Sequence, residues 1–354
     1  MKRNYGIDLL RCVSMLMVVV LHILGHGGLL KAAPVGSAVY NTVWLLETAC
    51  YCAVNCYALI SGYVGVKSRF RYSGIVQIWL QVLFYTVSIA AVLYFLVPGA
   101  VGKNEMLKSV FPFTHRTYWY FSAYAAAFFL FPVLANGINN LTEKQAKVTV
   151  VAIIAVFTVI KVALSVDIFE SIPVKDLFNL SGGYSVIWLL LLYVVGGCIG
   201  KYDLLKKIPS ALLAIAYILC VAASWGAKIL IQKFEIDMSS DVLIDYASPT
   251  IVICGISLVE LFSRFRFSEG AARFIGFCAP CAFGVYLFHE NPLFRNNFIT
   301  DKFVFLSGLN PALIILSVIG IALVIFTVCL LTDRLRLLLF KALKIKELTS
   351  KIDR

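Results

Sequence analysis

Ten apolar runs, most of them long enough to cross a bilayer, divide this sequence and leave little chain for anything else. They lie at roughly 7–30, 38–64, 74–98, 117–135, 148–165, 184–200, 209–230, 246–262, 274–289 and 312–332. The hydrocarbon core of a membrane is about 30 Å thick, so a spanning helix takes roughly 20 predominantly apolar residues. Of the 354 residues 61% are hydrophobic and only 14% are charged, against about 25% charged in soluble domains. The pattern predicts an all-α integral membrane protein of about ten transmembrane helices. Residues 1–335 form one membrane domain, and 336–354 form a basic cytoplasmic tail expected to lie as an interfacial helix on the anionic inner leaflet.

The net charge of +12 does not indicate nucleic acid, because the basic residues are spread through short loops. With the N-terminus inside, the inner segments carry twenty of the 31 Lys and Arg, thirteen in the N-terminus and loops and seven in the tail. The positive-inside rule then places both termini in the cytoplasm. Outer loops gather acids, among them Asp167, Glu170 and Asp176. The first run is too long for a signal peptide, carries Asp8 and Arg11, and is followed by no small-residue cleavage site, so it reads as a retained helix. All ten cysteines fall in or beside apolar runs. There they act as small apolar residues, and no metal site is expected.

Ionisable side chains cost about 2.5–3.5 kcal/mol at a bilayer centre even on the permissive scale, which makes them the place to look for function. The first helix reads Asp8-Leu-Leu-Arg11, then an apolar stretch, then His22 and His26. Eleven residues is close to three helical turns, so Arg11 and His22 share a face, roughly 16 Å apart along the axis. Asp8 can pair with Arg11 at i, i+3. The bland reading is that Arg11 snorkels to the headgroups while the histidines bond to neighbouring helices. A shared face points instead to a polar interior.

Three further clusters follow. Tyr57-Ala-Leu-Ile-Ser61-Gly62-Tyr63 closes the second run, with Gly62 permitting close helix approach and Ser61 able to bond backbone or ligand. Lys67, Arg69 and Arg71 come next, suited to ordinary inner-face anchoring and equally to a phosphate pocket. His115 precedes Tyr118-Trp119-Tyr120-Phe121-Ser122 at an outer helix end, where an aromatic belt is the default. Phe283-Gly284-Val285-Tyr286-Leu287-Phe288-His289-Glu290-Asn291 ends a late helix in polar groups at the outer mouth. Glu47, in the second run, is an acid placed to face an outer cavity.

In this order the four clusters resemble the acyltransferase-3 family of bacterial membrane acyltransferases. Its first-helix Arg, ten residues, then His is met by Arg11 and His22. Its aromatic–x–x–Ser-Gly-aromatic stretch is met by Tyr57 through Tyr63, its Trp-Phe-like element by Tyr118 through Phe121, and its Gly-[Ile/Val]-Tyr-Leu-x-His by Gly284 through His289. Cys56-Tyr57 departs from the family's double aromatic. No hydrolase-like domain follows the membrane helices, which implies a stand-alone transferase or one served by a partner.

The resemblance implies transfer of an acyl group, usually acetyl, from cytoplasmic acyl-CoA to a hydroxyl of a surface glycan or lipid-linked sugar, in the bacterial cytoplasmic membrane. Acetyl-CoA is then a co-substrate. Lys67, Arg69 and Arg71 would meet its phosphates, Arg11 would draw in its arm, and His22 would serve as general base. Arg11, Tyr286 or His289 would stabilise the oxyanion. The competing classes are a transporter or flippase of a polysaccharide precursor or small polar solute, whose midplane polar residues look similar, and a non-catalytic regulatory membrane protein.

Overall fold

Backbone groups in lipid must be satisfied within their own segment, and helices do this locally. The computed structural model describes residues 3–115, 117–165, 178–236 and 238–353, and no strand occurs among them. The acids Asp167, Glu170 and Asp176 lie outside the described residues. Every one of the ten runs carries a helix. Seven segments are long and apolar enough to span: α1 (Tyr5–Leu24), α2 (Ala38–Gly65), α3 (Ser73–Leu96), α6 (Glu143–Leu164), α8 (Ser210–Lys233), α10 (Glu269–His289) and α11 (Pro311–Ala342). Between them, α4 (Trp119–Phe128) and α5 (Phe131–Asn139) form one apolar segment bent by 57°. Two shorter apolar helices complete the set, α7 (Val186–Tyr202) and α9 (Pro249–Ser263). The protein is an all-α membrane protein.

Two of the long segments are locally broken. Between its helical halves Ala38–Cys50 and Ala53–Gly65, α2 has a turn at Tyr51 and Cys52. A 3₁₀ turn at Ala279–Cys281 interrupts α10 around Pro280, whose ring cannot donate to the helical ladder. The CxxC cysteines Cys278 and Cys281 flank that turn as free thiols.

At the centre stands α1, capped by Asn4, whose side chain accepts from the N–H groups of Gly6 and Ile7. It packs against α2, α9, α10 and α11. Around it the helices approach closely where side chains are absent. A Cβ on Gly62 would lie 1.9 Å from Tyr193 O, and one on Gly196 would lie 2.0 Å from Leu59 O. The α2–α7 contact is therefore backbone against backbone, the packing that small residues permit in membranes.

A second close approach joins α10 to α11. A Cβ on Gly284 would sit 2.1 Å from Asp333 Oδ1. Asp333 is fully buried and accepts from Tyr85 Oη at 2.8 Å, Gln81 Nε2 at 3.2 Å, and Arg336 Nε and Nη2 at 2.9 and 2.7 Å. The Asp333–Arg336 pair sits on α11, a helix that runs unbroken across residues 335 and 336, where the sequence suggested a boundary between membrane domain and tail. At about 1.5 Å per residue, its 32 residues reach roughly 48 Å, well beyond the hydrocarbon core.

The tail then packs back onto the bundle. Asp353 accepts from Ser73 N–H at 3.0 Å and Ser73 Oγ at 2.5 Å, and Gln77 Nε2 donates to Thr349 Oγ1 at 2.9 Å. These bonds hold residues 345–353 against the start of α3.

Candidate functional site

The polar stripe of α1 has two ends with different surroundings. At the end near the N-terminus, Arg11 Nη1 donates to Asp8 Oδ1 at 2.6 Å, the i, i+3 pair the spacing predicts. Tyr57 Oη donates to Arg11 O at 2.6 Å. Arg11, Tyr57, Ser61, Gln81, Tyr120 and Tyr124 border a cavity of about 240 Å³. Ser61 Oγ donates to Tyr57 O at 2.9 Å, so its hydrogen is spent on its own helix and its lone pairs face the cavity groups.

At the other end, α1 meets the end of α10. His22 Nδ1 lies 2.9 Å from His289 Nε2 and 3.1 Å from Glu290 Oε2. His26 Nε2 lies 3.6 Å from the same carboxylate oxygen, and Arg295 donates to Glu290 Oε1. The loop that carries Glu290 is pinned from α4: Tyr118 Oη donates to Leu287 O at 2.6 Å and accepts from Asn291 Nδ2 at 3.0 Å. Asn291 also caps the short helix Pro292–Phe298, which bears Arg295.

These contacts fix a proton order. His289 Nδ1 lies 2.6 Å from Val285 O, and a carbonyl oxygen only accepts, so Nδ1 carries the hydrogen and Nε2 of the neutral ring is an acceptor. His22 Nδ1 must therefore donate to it, while Glu290 Oε2, 3.1 Å away, stands beside the ring without a hydrogen-bond partner of its own among the described residues. In the neutral His22 ring the remaining nitrogen, Nε2, is then an unprotonated base.

Around His22 lies a cavity of about 380 Å³, bordered also by His26, Glu47, Tyr57, Trp119, Tyr120, Tyr286, Glu290 and Arg295. Tyr57, Tyr120 and Phe283 border both this cavity and that of Arg11, so the two spaces adjoin. A third space of about 500 Å³ shares Trp119, Tyr286, Glu290 and Arg295 and reaches His115 and Lys108.

Most of the residues singled out from the sequence meet here: His22, His26, Glu290, Tyr286, Trp119 and Glu47 at one cavity, with His289 fully buried behind His22, and Arg11 and Ser61 at its neighbour. The others do not. Lys67, Arg69 and Arg71 stand exposed on the loop after α2 and border neither cavity. Tyr63 packs on α7, where a Cβ on Gly200 would lie 2.8 Å from its carbonyl, and is absent from both.

The sequence reading missed Arg295, which lies five residues past Glu290 in a segment outside any apolar run. The Asn291-Pro292 helix start was the available signal for that segment. It also missed Tyr51, Tyr184 and Tyr246, which border the His22 cavity.

His22, His26 and Glu290 offer ligand atoms within 4.8 Å of one another, the spacing a metal ion would need. The Arg295 guanidinium on the same carboxylate opposes a second cation there, and His22 Nδ1 is engaged by His289.

Residues 4–333 match the model of a family described as an acyltransferase domain, nearly the whole chain. This chain belongs to the acyltransferase-3 family. Neither curated proteins nor solved structures give a match. Family membership makes it a membrane acyltransferase, and the helix order in which the Arg11, Ser61, Trp119 and His289 elements occur now corresponds to two adjoining spaces along one helix.

Proposed function

We propose that this acyltransferase moves an acyl group, acetyl, from cytoplasmic acetyl-CoA to a hydroxyl of a surface glycan or lipid-linked sugar, with His22 as the general base. The observation that carries the reading is the ordered chain Val285 O, His289, His22 and Glu290, which leaves one basic nitrogen on His22 at the edge of a cavity.

In this reaction His22 Nε2 takes the acceptor hydroxyl proton while the oxygen attacks the thioester carbonyl. The tetrahedral intermediate then collapses, the C–S bond breaks, and the imidazolium returns its proton to the departing thiolate. Glu290 stabilises the positive charge that His22 bears in between, and Arg295 holds that carboxylate in place, the logic of a base oriented by a third group. The thin arm of the donor would enter past Arg11, through the space bordered by Tyr57 and Tyr120, while the acceptor comes from the opposite face. The donor's phosphates would meet Lys67, Arg69 and Arg71 outside the cavity, as loosely held surface charges. The setting would be the bacterial cytoplasmic membrane.

The test is ester-linked acetate on the surface glycans of three matched strains: a deletion, the deletion with wild-type protein, and the deletion with equally expressed His22→Ala. Acetate restored by wild type alone supports the reading. Restoration by both proteins removes His22 from the chemistry, and restoration by neither removes acetyl transfer to surface glycans.

A further inference from the structure

One wall of the His22 cavity has no part in the proton chain. Tyr51, Trp119, Tyr184 and Tyr246 are joined ring to ring, with centroids 4.5 Å apart for Trp119 and Tyr184, 5.0 Å for Tyr184 and Tyr246, and 4.8 Å for Tyr51 and Tyr246. Trp119 and Tyr246 lie within 22° of parallel. Each ring comes from a helix start or break: Tyr51 at the turn in α2, Trp119 opening α4, Tyr184 just before α7 and Tyr246 just before α9. Asn55 fixes the assembly from behind, donating to Tyr246 O at 2.7 Å and accepting from Trp188 Nε1 at 3.2 Å.

One turn before Tyr51 on α2, Glu47 borders the same cavity and is only 8% exposed. Its Oε2 is buried with no hydrogen-bond partner among the described residues. Nearby cations are already engaged: Lys228 with Asp241 at 2.7 Å, Lys161 with Asp245 at 2.6 Å, and Arg295 with Glu290. A buried carboxyl without a partner is costly, and such a group in a native fold calls for an explanation. A partner that arrives with a ligand is one.

We propose that the four-ring wall and Glu47 form the acceptor's subsite and that its ligand is a neutral pyranose ring. The faces of aromatic rings carry negative charge, which suits the C–H face of a sugar. A carboxylate accepting from hydroxyls makes hydrogen bonds stronger than neutral ones. Because the rings touch one another in sequence, they make a continuous wall on one side, not opposed faces enclosing a cation. The cavity, about 380 Å³, is at the small end of ligand sites, which run about 300–1,000 Å³. That suits one sugar ring and the reactive end of a thioester. The subsite deepens the acyl-transfer reading, on which the identity of the second substrate rests, but it is tested by binding alone.

The experiment is calorimetric titration of the full chain in lipid nanodiscs with methyl glycosides of glucose, galactose and N-acetylglucosamine at millimolar concentration, with choline chloride as the cationic probe. Saturable binding of at least one glycoside by wild type, weakened about tenfold in Glu47→Gln and in Tyr184→Ala, supports the subsite. Tyr184 is 46% exposed, so its truncation leaves the core intact. Three results overturn the proposal: equal binding by wild type and both variants, no saturable glycoside binding by wild type, or binding of choline alone. None of these touches the ester-acetate assay with His22→Ala, which decides the acyl-transfer reading separately.

Discussion

Two clusters of buried charge lie in this bundle, and they are built to opposite plans. Around Asp333 every acceptor is met: Tyr85, Gln81 and Arg336 converge on one carboxylate, which is wholly enclosed. Around His22 the groups are equally polar but less enclosed, and they border open space and leave Glu47 Oε2 and Glu290 Oε2 without hydrogen-bond partners among the described residues. A closed network joins helices, while an open one waits for something to bind. In a membrane, where burying charge is costly whatever its purpose, completeness of pairing is what tells the two apart.

The contrast is broken most directly at its open end. His22→Ala is expected to lower acyl transfer about 10²–10⁴-fold, the usual contribution of a general base. The melting temperature of the purified protein should be unchanged; a comparable loss of thermal stability would make His22 structural. Asp333→Ala should do the reverse. It strands Arg336 in the interior, and removing one partner of a buried pair costs about 3–5 kcal/mol. Thermal melts in detergent should fall sharply while the specific activity of the folded fraction stays near wild type.

Glu290→Gln sharpens the comparison within the open cluster. It keeps the shape but removes the charge that stabilises protonated His22, and should cost roughly tenfold in kcat, about 1.4 kcal/mol, with little change in the KM for the donor. The smallest effect is expected at the exposed basic loop. Substituting Lys67, Arg69 or Arg71 singly by Ala should raise the donor KM about two- to threefold, in keeping with solvent-exposed charges worth roughly 0.2–1 kcal/mol. That difference should vanish in high salt.

Much of this arrangement was legible because it is periodic. Ten apolar runs became ten helical segments, the Asp8–Arg11 spacing became an ion pair, and Gly62 became a point of close approach. His22, His26 and the end of α10 were readable as polar residues in costly places. The Asp333–Arg336 pair repeats the i, i+3 pattern of Asp8 and Arg11, but it straddles the place where apolar run gives way to basic tail, and neither residue stood out there. Tyr51, Tyr184 and Tyr246 sit at helix ends, where tyrosine is common for reasons of membrane depth alone. Only tertiary packing separates a wall of rings from a belt. Lys67, Arg69 and Arg71 show the converse: their composition suits phosphate, but nothing in the chain brings them to the cavity.

The pairing of His22 with His289 has a consequence for how the protein is made. The two residues are 267 positions apart, and chains are synthesised at about 5–20 residues per second. The first helix therefore exists for roughly 13 to 53 s before its partner emerges. During that interval its most expensive group is already neutralised, because Asp8 pairs with Arg11 inside the same helix and requires no neighbour. The histidines need no such help while uncharged. The first helix can thus enter the bilayer early and wait there inert, and the site comes into being only when the end of α10 arrives.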